Sequence, residues 1–370
     1  MSTGTSENEM IRWLETDDDT ALAQLYAEAY AVKLQHVGRK VFYRGIIEFS
    51  NICEKDCLYC GIRRSNRKVK RYTVEDDDVM DAARWAWQQN YGSIVLQSGE
   101  RQDNTFIATI ETLLRRIREE TGGGLGVTLS LGEQSRETFQ RWRDAGAKRY
   151  LLRIETSNPA LYRTLHPADH LHEARLQCLR DLRDLDYQVG TGVMIGLPGQ
   201  TSRDLVADIR FFRDNDIDMI GMGPYIPHSD TPLAAIAAAT FNKKRQLQRG
   251  LTMIALTRLA LQDVNIAATT ALQALDPKGR EQGLAAGANI IMPNLTDTKY
   301  RQGYQLYDGK PCLDENAGMC RFCLEGRIAS VGESVGYGEQ GDSPHYLKRK
   351  TSATAEKQKA EEQEAGEQEK

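Results

Sequence analysis

The chain has 370 residues, of which 40% are apolar and 27% charged, and a formal net charge of −4. That composition supports a full hydrophobic core, as one large domain or two small ones. A mildly acidic chain with no run of about 18 apolar residues is expected neither to bind nucleic acid generally nor to enter a membrane.

Residues 1–35 are expected to form a helical extension, 36–330 the main domain and 331–370 a C-terminal extension. The first residues lack the basic-then-apolar pattern of a secretion signal, so a cytoplasmic location is expected. Short β-rich runs then alternate with helical stretches. The predicted strands cover 41–49, 93–97, 126–131, 149–154, 188–195, 219–226, 265–271 and 289–292. The helices between them are amphipathic, with Val79, Ala83 and Ala86 on one face of the first and Leu176, Leu179 and Leu182 on one face of another. Thr73–Asp76 and Thr201–Asp204 read as capping boxes that start two of these helices. Eight strand–helix units in this length predict an α/β fold, a (β/α)8 barrel. A doubly wound open sheet is the alternative, but it usually carries a Gly-rich turn after its first strand, where this chain places cysteines. The last twenty residues hold six Glu and three Lys, without an aromatic, Val, Ile, Leu or Met residue. They carry −3 of the net charge and are predicted to be disordered from about residue 351.

In a parallel barrel, reactive groups gather at the C-terminal ends of the strands. Polar residues recur at those positions here: Gln97, Ser98, Gly99 and Glu100; Thr128 and Ser130; Arg153 and Glu155; Pro198 to Gln200; Pro227 and His228; Thr269 and Thr270; Pro293 and Asn294.

Six of the seven cysteines fall in two triplets. Cys53-x3-Cys57-x2-Cys60 follows the first predicted strand, and Cys312-x7-Cys320-x2-Cys323 follows the last. In a chain without a secretion signal, cysteines point to metal or catalytic chemistry more than to disulfides. Three thiolates on one short loop suit an iron–sulfur cluster with one iron left open. A zinc site would want a fourth Cys or His nearby, and a thioredoxin-like pair would leave Cys53 surplus. Cys178, beside Leu179 on an apolar helix face, reads as a small core residue.

The first triplet, with Tyr59 before its last cysteine and a barrel behind it, resembles the radical S-adenosylmethionine (SAM) superfamily. The resemblance implies a [4Fe–4S] cluster on Cys53, Cys57 and Cys60 that binds SAM at its open iron and cleaves it reductively to a 5′-deoxyadenosyl radical. It also implies SAM-binding roles for Tyr59, for the Ser98-Gly99-Glu100 segment, where Ser stands in place of the family's first Gly, and for Arg153, Glu155 and Arg175. Met194, Gly196 and Pro198 fall in the segment that packs against adenine. Longer stretches, such as Ile94 to Glu100, Val127 to Glu133, Gly223 to His228 and Tyr300 to Tyr307, resemble the HydE branch, whose members mature the active-site cluster of [FeFe]-hydrogenase. That likeness implies a small organometallic substrate, an Fe(II) centre with CO, cyanide and cysteine ligands. It further implies other hydrogenase maturases as partners and a reducing electron donor. The residues then expected at the substrate are Gln97, Thr128, Ser130, Met222, Thr269, Thr270, Met292, Tyr304 and Tyr307. A second, accessory cluster, [2Fe–2S] or [4Fe–4S], is expected on Cys312, Cys320 and Cys323. Methylornithine synthase-like or biotin synthase-like chemistry on an amino-acid-type substrate is the competing enzymatic expectation, and an iron–sulfur carrier is the non-enzymatic one.

Overall fold

The computed structural model describes residues 6–352. The predicted disordered tail lies outside them except for Thr351 and Ser352, which are helical. Helices Glu7–Glu15 and Asp19–His36 precede the first strand. The strands are β1 (Lys40–Tyr43), β2 (Gly45–Ser50), β3 (Ser93–Ser98), β4 (Gly126–Ser130), β5 (Arg149–Leu151) and β6 (Gln188–Thr191). They continue as β7 (Met194–Ile195), β8 (Met219–Ile220), β9 (Gly223–Pro224), β10 (Asn265–Ile266), β11 (Ile290–Ile291) and β12 (Ser334–Val335).

Seven of them form one curled parallel sheet in the order β2-β3-β4-β5-β6-β8-β10. The eighth position is held by β11. It pairs in parallel with β1, bridges Ala267 just after β10, and is followed by Asn294, which bridges to Ile46. Helices on the outside of this sheet complete an α/β fold of the TIM-barrel type. Side chains on both faces of β2 to β4 are buried because helices cover one face and the barrel interior the other. Helix Asn104–Glu120 shows how the cover is made. Its buried Phe106, Ile107, Ile110, Leu113, Leu114 and Ile117 recur at helical spacing, and Asp103 caps its start by accepting from the Phe106 N–H. No described helix is long and apolar enough to cross a membrane.

Several predicted strands are shorter than their β-rich runs. The run over 188–195 is interrupted because Thr191 turns its own side chain to the neighbouring strand. Thr191 Oγ1 donates to Leu152 O at 2.8 Å and accepts from Ile154 N at 3.1 Å, replacing ladder bonds. The run over 265–271 ends in helix Thr270–Leu275. The two capping expectations separate in the same way. Thr201 and Asp204 form the full capping box. Thr73 instead bonds Ser50 Oγ at 3.1 Å, and helix Asp76–Gln88 starts after Glu75 without a side-chain cap. Its first-turn Asp76, Asp77 and Asp78 place negative charge at the helix N-terminus instead.

The C-terminal segment fixes which end of the barrel is open. Arg149, at the start of β5, reaches Asp342 Oδ1 at 2.6 Å and Gln340 O at 2.9 Å, and Arg44 reaches Gly341 O at 3.0 Å. Residues 340–342 thus cross the N-terminal strand ends, opposite the cysteine loop.

Candidate active site

The loop after β2 is built around Asn51. Its side chain accepts from Tyr72 N at 2.8 Å and donates to Lys70 O at 2.8 Å and Gly303 O at 2.7 Å, which closes residues 51–72 into a loop over the strand ends. The Ser98-Gly99-Glu100 segment packs directly on the cysteines. Glu54 N donates to Glu100 O at 2.8 Å, and Glu100 N donates to Cys53 Sγ at 3.4 Å. A side chain at Gly99 would stand 2.3 Å from Ile52 O and 2.8 Å from Cys53 Cβ, so this approach requires glycine.

Cys53, Cys57 and Cys60 are free thiols lining one cavity of about 330 Å3 at the C-terminal strand ends. Burial raises the pKa of all three, that of Cys57 to about 12. Desolvated thiols held together in this way become good ligands only when a positive charge accompanies their deprotonation, as a cluster of iron ions provides. Among the described residues no three His, Cys, Asp or Glu side chains are spaced to hold a single metal ion.

One wall of the cavity is a charged network. Lys55, between the first two cysteines, lies 2.8 Å from Glu133 Oε2 and 3.2 Å from Glu100 Oε1. Arg175, from helix His172–Asp184, donates through Nε to Glu133 Oε1 and through Nη1 to Arg153 O, both at 2.8 Å. Its Nη2 keeps only a 4.0 Å approach to Glu100. Burial disfavours the charge on both carboxylates, and they respond differently. Glu133, gripped by Arg175 and Lys55, stays below the ordinary range, whereas burial lifts Glu100 above it. Glu155 follows β5 with a φ of +66°, a conformation that costs a non-glycine residue energy. Backbone bonds hold it there: Glu155 N donates to Gly192 O and Met194 N donates to Glu155 O, each at 3.0 Å. Arg153 Nη2 lies 3.1 Å from Glu155 Oε2, without the alignment of a hydrogen bond.

Several buried polar atoms of these cavity residues make no hydrogen bond: Arg153 Nε and Thr269 Oγ1 have no partner, while Glu100 Oε1, Glu155 Oε2 and Arg153 Nη2 have only an opposite charge beside them. Each such atom costs roughly 1–3 kcal/mol when left without a partner. Their concentration around one cavity is the pattern of a site that takes a polar ligand. The residues therefore fit an iron–sulfur cluster with SAM beside it, donors and acceptors included.

The remaining sequence-predicted residues divide by strand parity. Gln97, Ser98, Ser130, Met194, Thr269, Thr270, Met292, Tyr304 and Tyr307 line the same cavity. Thr128 lies two residues before Ser130 on β4, hence on the same face one layer deeper, and its buried hydroxyl has no partner. Met222 does not line the cavity. Gly221 and Gly223 do, so Met222 points the other way, into the packed core with its sulfur 3.9 Å from Thr257 Oγ1. Gly196 and Pro198 border a separate pocket of about 200 Å3 with Gln246 and Arg249. Tyr59 lines the cavity, and its hydroxyl lies 3.2 Å from His166 Nε2. Burial depresses the His166 pKa to about 3, so that imidazole stays neutral.

Sequence reasoning missed Lys55, Glu133, Glu48 and Lys310. Lys310 Nζ meets both Glu48 carboxylate oxygens, at 2.6 and 2.8 Å, in a buried ion pair on the cavity wall. A carboxylate among the apolar residues of β2, at the parity of Ile46, was a readable signal. Lys310 sits in an irregular segment and had none.

The second triplet lies apart. Cys320 is buried and Cys323 exposed, both on helix Ala317–Ser330, while Cys312 sits in the preceding loop with a φ of +64°. Arg327 Nε approaches Cys323 Sγ at 3.4 Å. Cys178 is buried in the core, 3.5 Å from Gln134 O.

A family profile described as "Radical SAM superfamily" matches residues 47–212. The chain is 47% identical over 313 residues to the [FeFe] hydrogenase maturase subunit HydE of Thermotoga maritima, covering 84% of this chain and 86% of that one. It is 24% identical over 308 residues to the 3-methylornithine synthase of Methanosarcina acetivorans, covering 82% of this chain and 83% of the relative. A crystal structure of methylornithine synthase superposes with a TM-score of 0.77 at 23% identity, over 90% of this chain and 94% of the other. That last likeness is one of fold.

Proposed function

The chain belongs to the radical SAM superfamily, and on that premise we propose that it is a HydE-type enzyme of [FeFe]-hydrogenase maturation. The observation that carries the reading is the convergence on one cavity of three half-buried cysteines and several buried polar atoms that make no hydrogen bond. The 47% identity to the Thermotoga maritima maturase supports this branch over its amino-acid-directed relatives. In this reading Cys53, Cys57 and Cys60 would hold a [4Fe–4S] cluster, which together with SAM would supply one-electron reductive cleavage of the SAM S–C5′ bond.

The protein's own residues position the reactants. Glu155 accepts from the ribose hydroxyls through Oε2, which makes no hydrogen bond within the protein. Arg175, anchored on Glu133, directs Nη2 to the carboxylate of SAM. Glu100 and the backbone of Ser98 and Gly99 face its amino group, and Arg153 lends its unbonded Nε–H as a donor. Tyr59 and Met194 offer a surface for adenine, while Gly196 and Pro198 shape the loop behind it. Deeper in the barrel, Gln97, Thr128, Ser130, Thr269, Thr270, Tyr304 and Tyr307 supply polar contacts for a small iron complex carrying CO, cyanide and cysteine. Met292 adds a soft thioether. Cys312, Cys320 and Cys323 hold an accessory iron–sulfur cluster that SAM cleavage does not need. The protein works in the cytoplasm with the other maturases and a reducing donor.

A second reading, an amino-acid-type substrate, is favoured by the Glu48–Lys310 pair on the cavity wall, which would have to open for its two charges to bind an amino-acid zwitterion. One experiment separates the two. The anaerobically reconstituted protein is reduced with dithionite and given SAM, and 5′-deoxyadenosine is measured; none formed sinks the radical reading. The protein is then omitted from a defined hydrogenase-maturation mixture. Loss of active hydrogenase is expected, and unchanged activity would favour the amino-acid reading.

A further inference from the structure

Residues 61–72, directly after Cys60, hold six basic residues and no acidic one, in a chain whose net charge is −4. The mechanism uses none of them. Three are spent on structure. Arg71 donates to the carbonyls of Asn51, Ile62, Arg63 and Asn66 at 2.6 to 3.2 Å, and so pins the loop. Arg63 pairs with Asp56 at 2.8 Å, and Lys68 with Asp230. Arg64, Arg67 and Lys70 remain exposed, and no ion pair to any of them occurs among the described residues. The loop carrying them is folded onto the cysteine segment: Arg63 N donates to Cys60 O at 3.1 Å, and Arg64 N to Lys55 O at 2.9 Å. An exposed positive patch, with Asp56 the one acidic group acting on Arg64 among the described residues, thus adjoins the cysteine segment on a protein of net negative charge.

We propose that Arg64, Arg67 and Lys70 form the docking surface for an acidic, flavodoxin-like one-electron carrier protein that reduces the cluster held by the first triplet. The inference rests on the reading of that triplet as a cluster site. Each encounter moves one electron, oxidising the carrier and reducing the site by one, with no bond made or broken in the transfer. Complementary charge suits this task because it speeds encounter and orients a small, transient interface without locking it. Arg64 is four residues after Cys60, and its backbone is bonded to Lys55 between the first two cysteines.

The test compares three cluster-loaded proteins: wild type, R64E/R67E/K70E, and a control with the same charge change, R115E/R116E/R118E. The control residues sit near the C-terminal end of helix Asn104–Glu120, at the barrel end away from the cysteines. Binding of a purified acidic flavodoxin is measured by titration at several salt concentrations, and cluster reduction by its hydroquinone is followed by stopped flow. The patch variant should lose about tenfold or more in affinity and in second-order reduction rate, along with most of the salt dependence. The control should stay within about twofold of wild type. Dithionite-driven 5′-deoxyadenosine formation should be equal in all three, which checks that the variants are folded and loaded. Retained carrier affinity in the patch variant overturns the proposal, as does equal loss in the control. So does loss of a partner maturase's binding with the carrier's intact. If wild type forms no 5′-deoxyadenosine with dithionite, the cluster reading fails, and the binding titration still judges the docking surface.

Discussion

The two cysteine triplets look alike as text, each three cysteines ending in Cys-x2-Cys, yet the fold surrounds them very differently. Cys53, Cys57 and Cys60 open onto a cavity lined by Lys55, Glu100, Arg153, Glu155 and Arg175, several of whose polar atoms make no hydrogen bond. Cys320 and Cys323 sit on the last long helix, one buried and one exposed, with Arg327 already placed against the exposed sulfur. The difference teaches that cysteine spacing only nominates a ligand set, whereas the surrounding fold decides what else can share the site. The first set opens into a lined cavity, and the second is split between a helix and the loop before it.

The largest effect that would break this contrast concerns the cysteines themselves. Cys57→Ala should lower 5′-deoxyadenosine formation by about a thousandfold or more, while Cys320→Ser should keep it within about threefold of wild type. Equal losses in the two variants would erase the distinction. Next is the ion pair tying the segment before the second triplet to the cavity wall. Lys310→Met strands the buried Glu48 carboxylate and should cost about 3–5 kcal/mol in denaturant unfolding, most of it recovered in K310M/E48Q. A small loss in the single variant would mean that water replaces Lys310. Glu155→Ala removes the acceptor assigned to the ribose and should weaken SAM binding by about tenfold to a hundredfold in equilibrium dialysis, with melting temperature little changed. Unaltered affinity would remove Glu155 from the SAM site.

The smallest expected effect lies at the far end of the molecule. His345 bonds Asp216 and Asp263, and those hydrogen bonds raise its pKa to about 9. A group whose folded pKa lies above its ordinary value near 6.5 stabilises the fold fully below that value and loses the contribution as pH rises through about 9. His345→Gln should therefore lower the melting temperature by a few degrees at pH 6 and have little effect at pH 10. A shift of equal size at both values would assign the histidine a packing role only. Neither result should touch SAM cleavage, since the C-terminal segment closes the opposite end of the barrel.

Much of the fold was legible because alternating β-rich and amphipathic runs obey local periodicity, and parallel strands need crossover helices wherever they occur. Strand ends were less legible. Thr191 shows why: its hydroxyl competes for the ladder bonds of Leu152 and Ile154, a contest invisible until the two strands lie side by side. Capping boxes show the same limit, since Thr201 takes the local partner and Thr73 a distant one, Ser50.

The sequence by itself determined the two cysteine triplets, the place of the first after the first predicted strand and the polar residues at later strand ends, since these are matters of residue type and short spacing. Tertiary structure alone decided which of those residues share a cavity. It turned Met222 outward by strand parity, placed Gly196 and Pro198 in a neighbouring pocket, and brought Lys310 onto Glu48 across more than 250 residues. Charge pairing and parity act through space between elements far apart in the chain, so no local pattern can encode them.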